Sequence, residues 1–264
     1  MRRSATAGRP DPRMKITILG CGTSVGVPRI DGSWGACDPN EPKNRRSRGS
    51  IVIEQGETRL LIDTSPDLRS QFLANGFHSV SAVAWTHDHA DQSHGIDDLR
   101  TLAYIQKKRI EGYADAFTHE RLNKKFAYCF QKMGDGYPPI IEPKMIDGSF
   151  TVGDLEVMPF RQQHGAIHSL GFRCGDFAYS NDVVSLDDAA FAALEGIKLW
   201  VVDALRYEPH PSHSHVEQTL GWIARLDVER AVLTNLHIDL DYNKLKAELP
   251  PGVEPAYDGM VLHC

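Results

Sequence analysis

The run Thr86-His87-Asp88-His89-Ala90-Asp91-Gln92 constrains this chain more than any other segment, because it packs two imidazoles and a carboxylate into one short loop. Neutral imidazole combined with carboxylate is the donor set of hydrolytic Zn, Mn or Fe centres. Such a set needs a rigid platform. Residues 81–86 supply one, a short apolar strand that delivers the histidines at its carboxyl end. A polar loop with chance histidines is the bland alternative. Against it stand His164, Asp182 and His237, each following its own strand-like segment, from which ligands can converge.

Strands and helices alternate on both sides of that loop. Residues 15–19 form a β-branched strand running into a glycine-rich turn at 20–28, and residues 50–54 and 58–63 read as a hairpin. Ser65 as N-cap and Pro66 at the first helical position start a helix that ends near Gly76, and residues 96–109 carry helical periodicity. The polar, aromatic stretch 111–137, closed by Pro138 and Pro139, reads as a partly helical insertion or lid. Strand patterns recur at 149–152, 155–161, 169–173, 177–180 and 199–203. A helix at 187–194, an amphipathic helix at 215–226 and a last strand at 230–236 complete the series. No solenoid period or low-complexity tract interrupts it, and 264 residues suffice to bury a full core. The pattern predicts one α/β domain over residues 14–264, with sheets enclosed by helices.

Composition narrows the function classes. A net charge of −6 offers no basic surface, so a small or locally recognised substrate fits better than a long polyanion. Five widely spaced cysteines without a Cys-x-x-Cys pair point to a reducing compartment. The opening stretch carries Arg2, Arg3, Arg9 and Arg13 but lacks the apolar core of a secretory signal. A cytoplasmic protein is expected, with residues 1–13 as a disordered leader and Met14 as the working start. No apolar run approaches the roughly 20 residues needed to span a bilayer, so no membrane partner is expected.

Taken together, these segments resemble the metallo-β-lactamase superfamily, whose signature is H-x-H-x-D-H followed by a distant His, Asp and His. Here the matching residues are His87, His89, Asp91, His164, Asp182 and His237. Within the superfamily the chain most resembles the branch containing phosphoribosyl cyclic phosphate phosphodiesterase and the tRNA 3′-processing ribonuclease Z. The matching segments are 20–28, 60–67, 86–100, 179–183, 202–206 and 213–220. The resemblance implies a four-layered αββα sandwich and up to two divalent metal ions, Zn or Mn. His87, His89 and His164 would hold one, Asp91 and His237 the second, and Asp182 would bridge them. Two such ions about 4 Å apart activate a shared water and stabilise an in-line displacement at phosphorus. His213 and Asp91 are the implied catalytic residues, with His213 protonating the leaving alkoxide and His215 as its rival. A homodimer is expected only because relatives are often dimers.

Gln92 departs from the signature, which has histidine there. An amide is a poorer ligand than imidazole for a borderline metal, so the second ion should be the labile one. His94 either compensates or begins a helix. Asp63 either orients a ligand histidine or caps a turn, and His168 and Asp203 lie near the site by the family pattern. Arg45, Arg46 and Arg48 either pair with a phosphate or form a solvated face. Ser24 and its glycine turn offer backbone donors without the ending of a P-loop. Only Cys21 and Cys37 occupy the region where some relatives carry a cysteine cluster for structural zinc, so that site is expected to be absent. The leading expectation is a metal-dependent phosphodiesterase for a small cyclic phosphate or nucleotide-like phosphodiester. A ribonuclease Z-like endonuclease is the alternative, although no long basic arm lies between Asp182 and His237. A non-catalytic binding relative, motivated by Gln92, is the other.

Overall fold

Period-two alternation of apolar side chains builds two sheets that share one core. In β1 (Lys15–Gly20), β2 (Ser50–Gln55) and β3 (Thr58–Ile62), residues such as Ile18, Ile53 and Leu60 face one way, while Leu19, Val52 and Leu61 face the other. β4 (Ala82–Ala84), β5 (Ile110–Ala114) and β6 (Ile141–Met145) extend this sheet in parallel from β3. The second sheet begins with β7 (Phe150–Val152), β8 (Leu155–His164), β9 (Ile167–Cys174) and β10 (Phe177–Ser180), which pair antiparallel. It continues in parallel through β11 (Leu199–Asp203), β12 (Arg230–Thr234) and β13 (Val253–Pro255). β14 (Met260–His263) returns to pair antiparallel with β1, giving seven strands in each sheet. The computed structural model describes residues 14–134 and 136–264; the expected leader, residues 1–13, lies outside them.

The inner faces meet in one apolar core, where Ile18 and Ile53 pack with Phe172, Phe177 and Val201. The outer faces are covered by helices. Val83 and Trp85 pack with Leu68, Phe72 and Leu99 on one side, and Trp200 and Leu233 with Leu194 and Ile223 on the other. This is the αββα sandwich expected from the resemblance. Among the described residues, no helix is long and apolar enough to cross a membrane.

Two local expectations are corrected. The stretch read as a lid begins instead with the interior strand β5, and the Ala116–Lys125 helix that follows packs Leu122 into the core beneath Trp85. Gly112 hides that strand in the sequence, yet the sheet requires it. A Cβ there would meet Ile141 Cγ2 at 2.6 Å and Trp85 Cζ3 at 2.8 Å. The first long helix, Leu68–Asn75, has Asp67 rather than Ser65 at its N-cap, and Ser65 Oγ accepts from Asp67 N in the preceding turn.

Topology places the chemistry. The carboxyl ends of β3, β4, β8, β10, β11 and β12 lead to Asp63, His87, His164, Asp182, Asp203 and Asn235 respectively. Ligands drawn from strand ends of both sheets therefore converge at one edge of the sandwich. The sheets are tied there by Leu170 N donating to Thr86 O at 2.9 Å and Leu236 N donating to Cys21 O at 2.8 Å.

Candidate metal centre

Thr86 sets the first histidine. Asp63, buried at the end of β3 with φ of 64°, accepts from Thr86 N at 2.8 Å and from Thr86 Oγ1 at 2.9 Å. With its proton given to Asp63, Thr86 Oγ1 accepts from His87 Nδ1 at 3.0 Å. That bond fixes His87 as the Nδ1–H tautomer and leaves a lone pair on Nε2. Asp63 thus orients a ligand histidine through Thr86 rather than by direct contact.

His164 is set in the same way. His164 Nδ1 donates to Ser212 O at 2.8 Å, so its Nε2 carries the lone pair, 3.2 Å from His89 Nδ1. Donor atoms of His87, His89 and His164 all lie within 4.8 Å of one another. Burial pushes His87 well below its ordinary value, brings His164 down to about 4 and lowers His89, so all three are neutral donors near pH 7. His87 Nε2 is buried with no hydrogen-bond partner. Asp182 Oδ2 stands 3.6 Å from it, and burial raises the Asp182 carboxyl well above its usual range. Three converging lone pairs, one of them orphaned, beside a buried carboxylate short of positive charge make a donor set for a divalent cation. The residues fit one such ion.

A second polar group adjoins this cluster. Asp203 is fully buried and accepts from His213 Nδ1 at 2.9 Å and from Val183 N at 3.1 Å. Burial works against the His213 cation, but Asp203, Asp182 and Asp91 outweigh it and lift the imidazole to about 9. Asn235, buried just past β12 with φ of 59°, donates through Nδ2 to Asp182 Oδ1 at 3.0 Å and to Asp203 Oδ1 at 3.2 Å. Residues with polar side chains tolerate this left-handed conformation best, and Asp63 and Asp182 adopt it as well. A cavity of about 300 Å³ opens onto these groups, bordered by Thr23, Ser24, His89, Asp91, His210 and His213.

The structure does not place every expected residue as the signature would. His237 borders the cavity, but its Nε2 accepts from Arg29 Nη2 at 2.6 Å and its Nδ1 donates to Asp239 Oδ2 at 2.8 Å. The left-handed turn at Asn235 puts that amide beside Asp182 in its stead. Asp91 also borders the cavity and accepts from Gln92 Nε2 at 3.0 Å. His94 is exposed against the Phe126 ring, and His168 pairs with Asp115 Oδ2 at 2.6 Å in a different hollow, so neither joins the cluster. Arg46 is buried against the carbonyls of His237 and Leu240, and Arg48 pairs with Asp67 at 3.0 Å, so neither is a solvated face or faces the cavity. His215 is the N-cap position of the Val216–Leu226 helix. Reasoning from sequence missed Asn235 entirely. Its one signal was an Asn at the end of an apolar strand.

Residues 58–238 match the family model of the beta-lactamase superfamily domain. The chain belongs to that superfamily. A solved diphosphatase from the PhnP family is 32% identical, with a TM-score of 0.89 over 96% of this chain and 97% of that one. At that identity and coverage the chain is a member of the PhnP family as well. An octanoyltransferase of Porphyromonas gingivalis is 33% identical over 255 residues, covering 94% of this chain and 51% of that protein. The chain therefore spans about half the length of that relative. Human tRNase Z, short form, is 18% identical with a TM-score of 0.66 over 94% of this chain and 98% of that one, and shares the fold.

Proposed function

We propose that this superfamily member is a metal-dependent phosphodiesterase acting on a small cyclic phosphate or nucleotide-like phosphodiester. The observation that carries this reading is His213, held through Nδ1 by buried Asp203 on the wall of the cavity that His89 and His164 of the cluster also line. His87, His89, His164 and Asp182 would hold a metal that, when bound, would supply Lewis acidity toward water and the phosphoryl oxygens. Asp203 fixes the ring of His213 and stabilises its cation, leaving Nε2–H to protonate the departing alkoxide. Asp91, with one oxygen held by Gln92, lines the same cavity and would orient the attacking water. Thr23 and Ser24 border the space for the phosphate. A cavity of about 300 Å³ suits a small ester, and the charge of −6 speaks against a long nucleic acid.

The test compares leaving groups. Hydrolysis of an alkyl phosphodiester and of bis(p-nitrophenyl) phosphate is measured with Mn, Zn and no metal, for the native chain and for His213→Gln. Loss of a general acid should lower kcat for the alkyl ester by about 10²–10⁴-fold, with a much smaller effect on p-nitrophenolate, which leaves unaided. Equal losses on both substrates would remove His213 from that role. Turnover of aryl acyl esters alone would make the chain an esterase, and no turnover with any metal would sink the enzyme reading.

A further inference from the structure

We infer that this chain holds one metal ion per molecule and that its own nitrogen donors have taken over the second position. The inference rests on the reading of His87, His89 and His164 as ligands. A second ion beside Asp182 needs a free Asp182 Oδ1, a free carboxylate from Asp91 and an imidazole from the loop after β12. Each of these already has a hydrogen-bond partner on at least one of its donor atoms. Asn235 Nδ2 donates to Asp182 Oδ1 at 3.0 Å, and Gln92 Nε2 donates to Asp91 Oδ2 at 3.0 Å. The lone pair of His237 Nε2 is taken by the Arg29 guanidinium at 2.6 Å, while its Nδ1–H is directed to Asp239.

Chemistry separates the two positions as sharply as geometry does. The first position offers three neutral imidazole lone pairs, one of them with no partner at all. The second is met by two amide N–H groups and a guanidinium, which are donors of protons and not of electron pairs. Asn235 and Gln92 are 2% and 1% exposed, so water does not compete for these bonds. Gln92 Oε1 is buried without a partner, but a lone neutral amide oxygen is a weak ligand for Zn. His164, Asp182 and His213 form a further group of donors within 4.8 Å, which shares His164 with the first and so adds no independent centre. Asp182 accordingly turns Oδ2 toward His87 and would offer that oxygen to the one ion, with Oδ1 held by Asn235.

The substitution is also an electrostatic one. Asp182 and Asp203 are both buried, and without a second ion they need compensation from the protein. Asn235 bridges both carboxylates through one amide group, His213 adds a charge-assisted bond to Asp203, and Arg29 brings a fixed positive charge to the rim through His237. A second cation would have to break the amide bonds to enter.

The experiment is metal stoichiometry on the full chain. Protein stripped with chelator is reloaded with excess Mn(II) or Zn(II), freed of unbound metal by gel filtration, and counted by elemental mass spectrometry. The native chain is expected to retain one equivalent, the His87→Ala variant none, and the triple variant Gln92→His, Asn235→His, Arg29→Ala to gain a second. The Mn-loaded native chain is expected to give the six-line EPR spectrum of an isolated ion. Two equivalents in the native chain, or an exchange-coupled EPR spectrum, overturn the inference while leaving the metal reading intact. No bound metal in the native chain overturns both.

Discussion

Asp88, between two candidate ligands, points away from them and anchors their loop from behind. Its side chain is fully buried, and Oδ2 accepts from Arg121 Nε at 2.8 Å and from Lys125 Nζ, both on the Ala116–Lys125 helix. Lys125 Nζ also donates to Asp88 O at 2.6 Å. Asp88→Ala removes two charge-assisted bonds, each worth about 1.5–3 kcal/mol when dry. Arg121 and Lys125 are 46% and 35% exposed and regain water when released, which halves that sum. Asp88 Oδ1 is buried without a partner, so its removal gives a little back. The net expectation is a loss of about 2 kcal/mol, or a fall of about 0.7 M in the urea midpoint at an m-value of about 3 kcal/mol/M. Metal affinity, measured by competition with a chromophoric chelator, should fall by about 10–100-fold, because the loop carrying His87 and His89 loses its brace. A midpoint drop that persists undiminished when Arg121 and Lys125 are already Met would refute the anchoring argument, since a coupled pair must show non-additivity.

Two further outcomes follow from the packing and from a buried carboxyl. Gly112→Ala forces Trp85 or Ile141 to move and should cost about 1–3 kcal/mol in the same urea assay; a cost below about 0.5 kcal/mol would mean the two side chains yield freely. Burial pushes the Asp258 carboxyl up to about 6, against hydrogen bonds from Ser47 and Cys21. Between its unfolded value near 4 and this folded value the native chain holds the extra proton, so the stability this group contributes in acid is lost as pH rises through about 6. The loss is roughly 3 kcal/mol. It is read as the divergence between the native chain and Asp258→Asn when urea midpoints at about pH 4 and about pH 7 are compared; parallel pH profiles would exclude it.

What could be read from the chain beforehand was what is local. His87, His89 and Asp91 lie within five consecutive residues, and a strand in front of them is enough to place them on one edge. Strands that are unbroken apolar runs, such as β11 at Leu199–Asp203, are equally plain. β5 was not, because Glu111 and Gly112 interrupt the apolar pattern and the reason for the glycine, the Trp85 ring, lies across the sheet. Asn235 and His237 illustrate the deeper limit. Which of them faces Asp182 depends on a single left-handed residue after β12, and a motif written only as spacing carries no record of a backbone turn. His168 failed for a similar reason: its partner, Asp115, is 53 residues away on the N-cap of a helix that had been read as a lid.

The three imidazoles do not come from one sheet. His87 and His89 follow β4 of the first, and His164 ends β8 of the second. An ion held among them would therefore be a cross-link between halves of the chain, set at the edge of the sandwich where the two sheets meet. Its binding energy is also cohesion: at a free metal level about 1,000 times Kd, it adds about 4 kcal/mol to the folded state. Loss of metal would then weaken the join between the sheets at the mouth of the cavity, leaving the backbone bonds from Leu170 N to Thr86 O and from Leu236 N to Cys21 O to hold it.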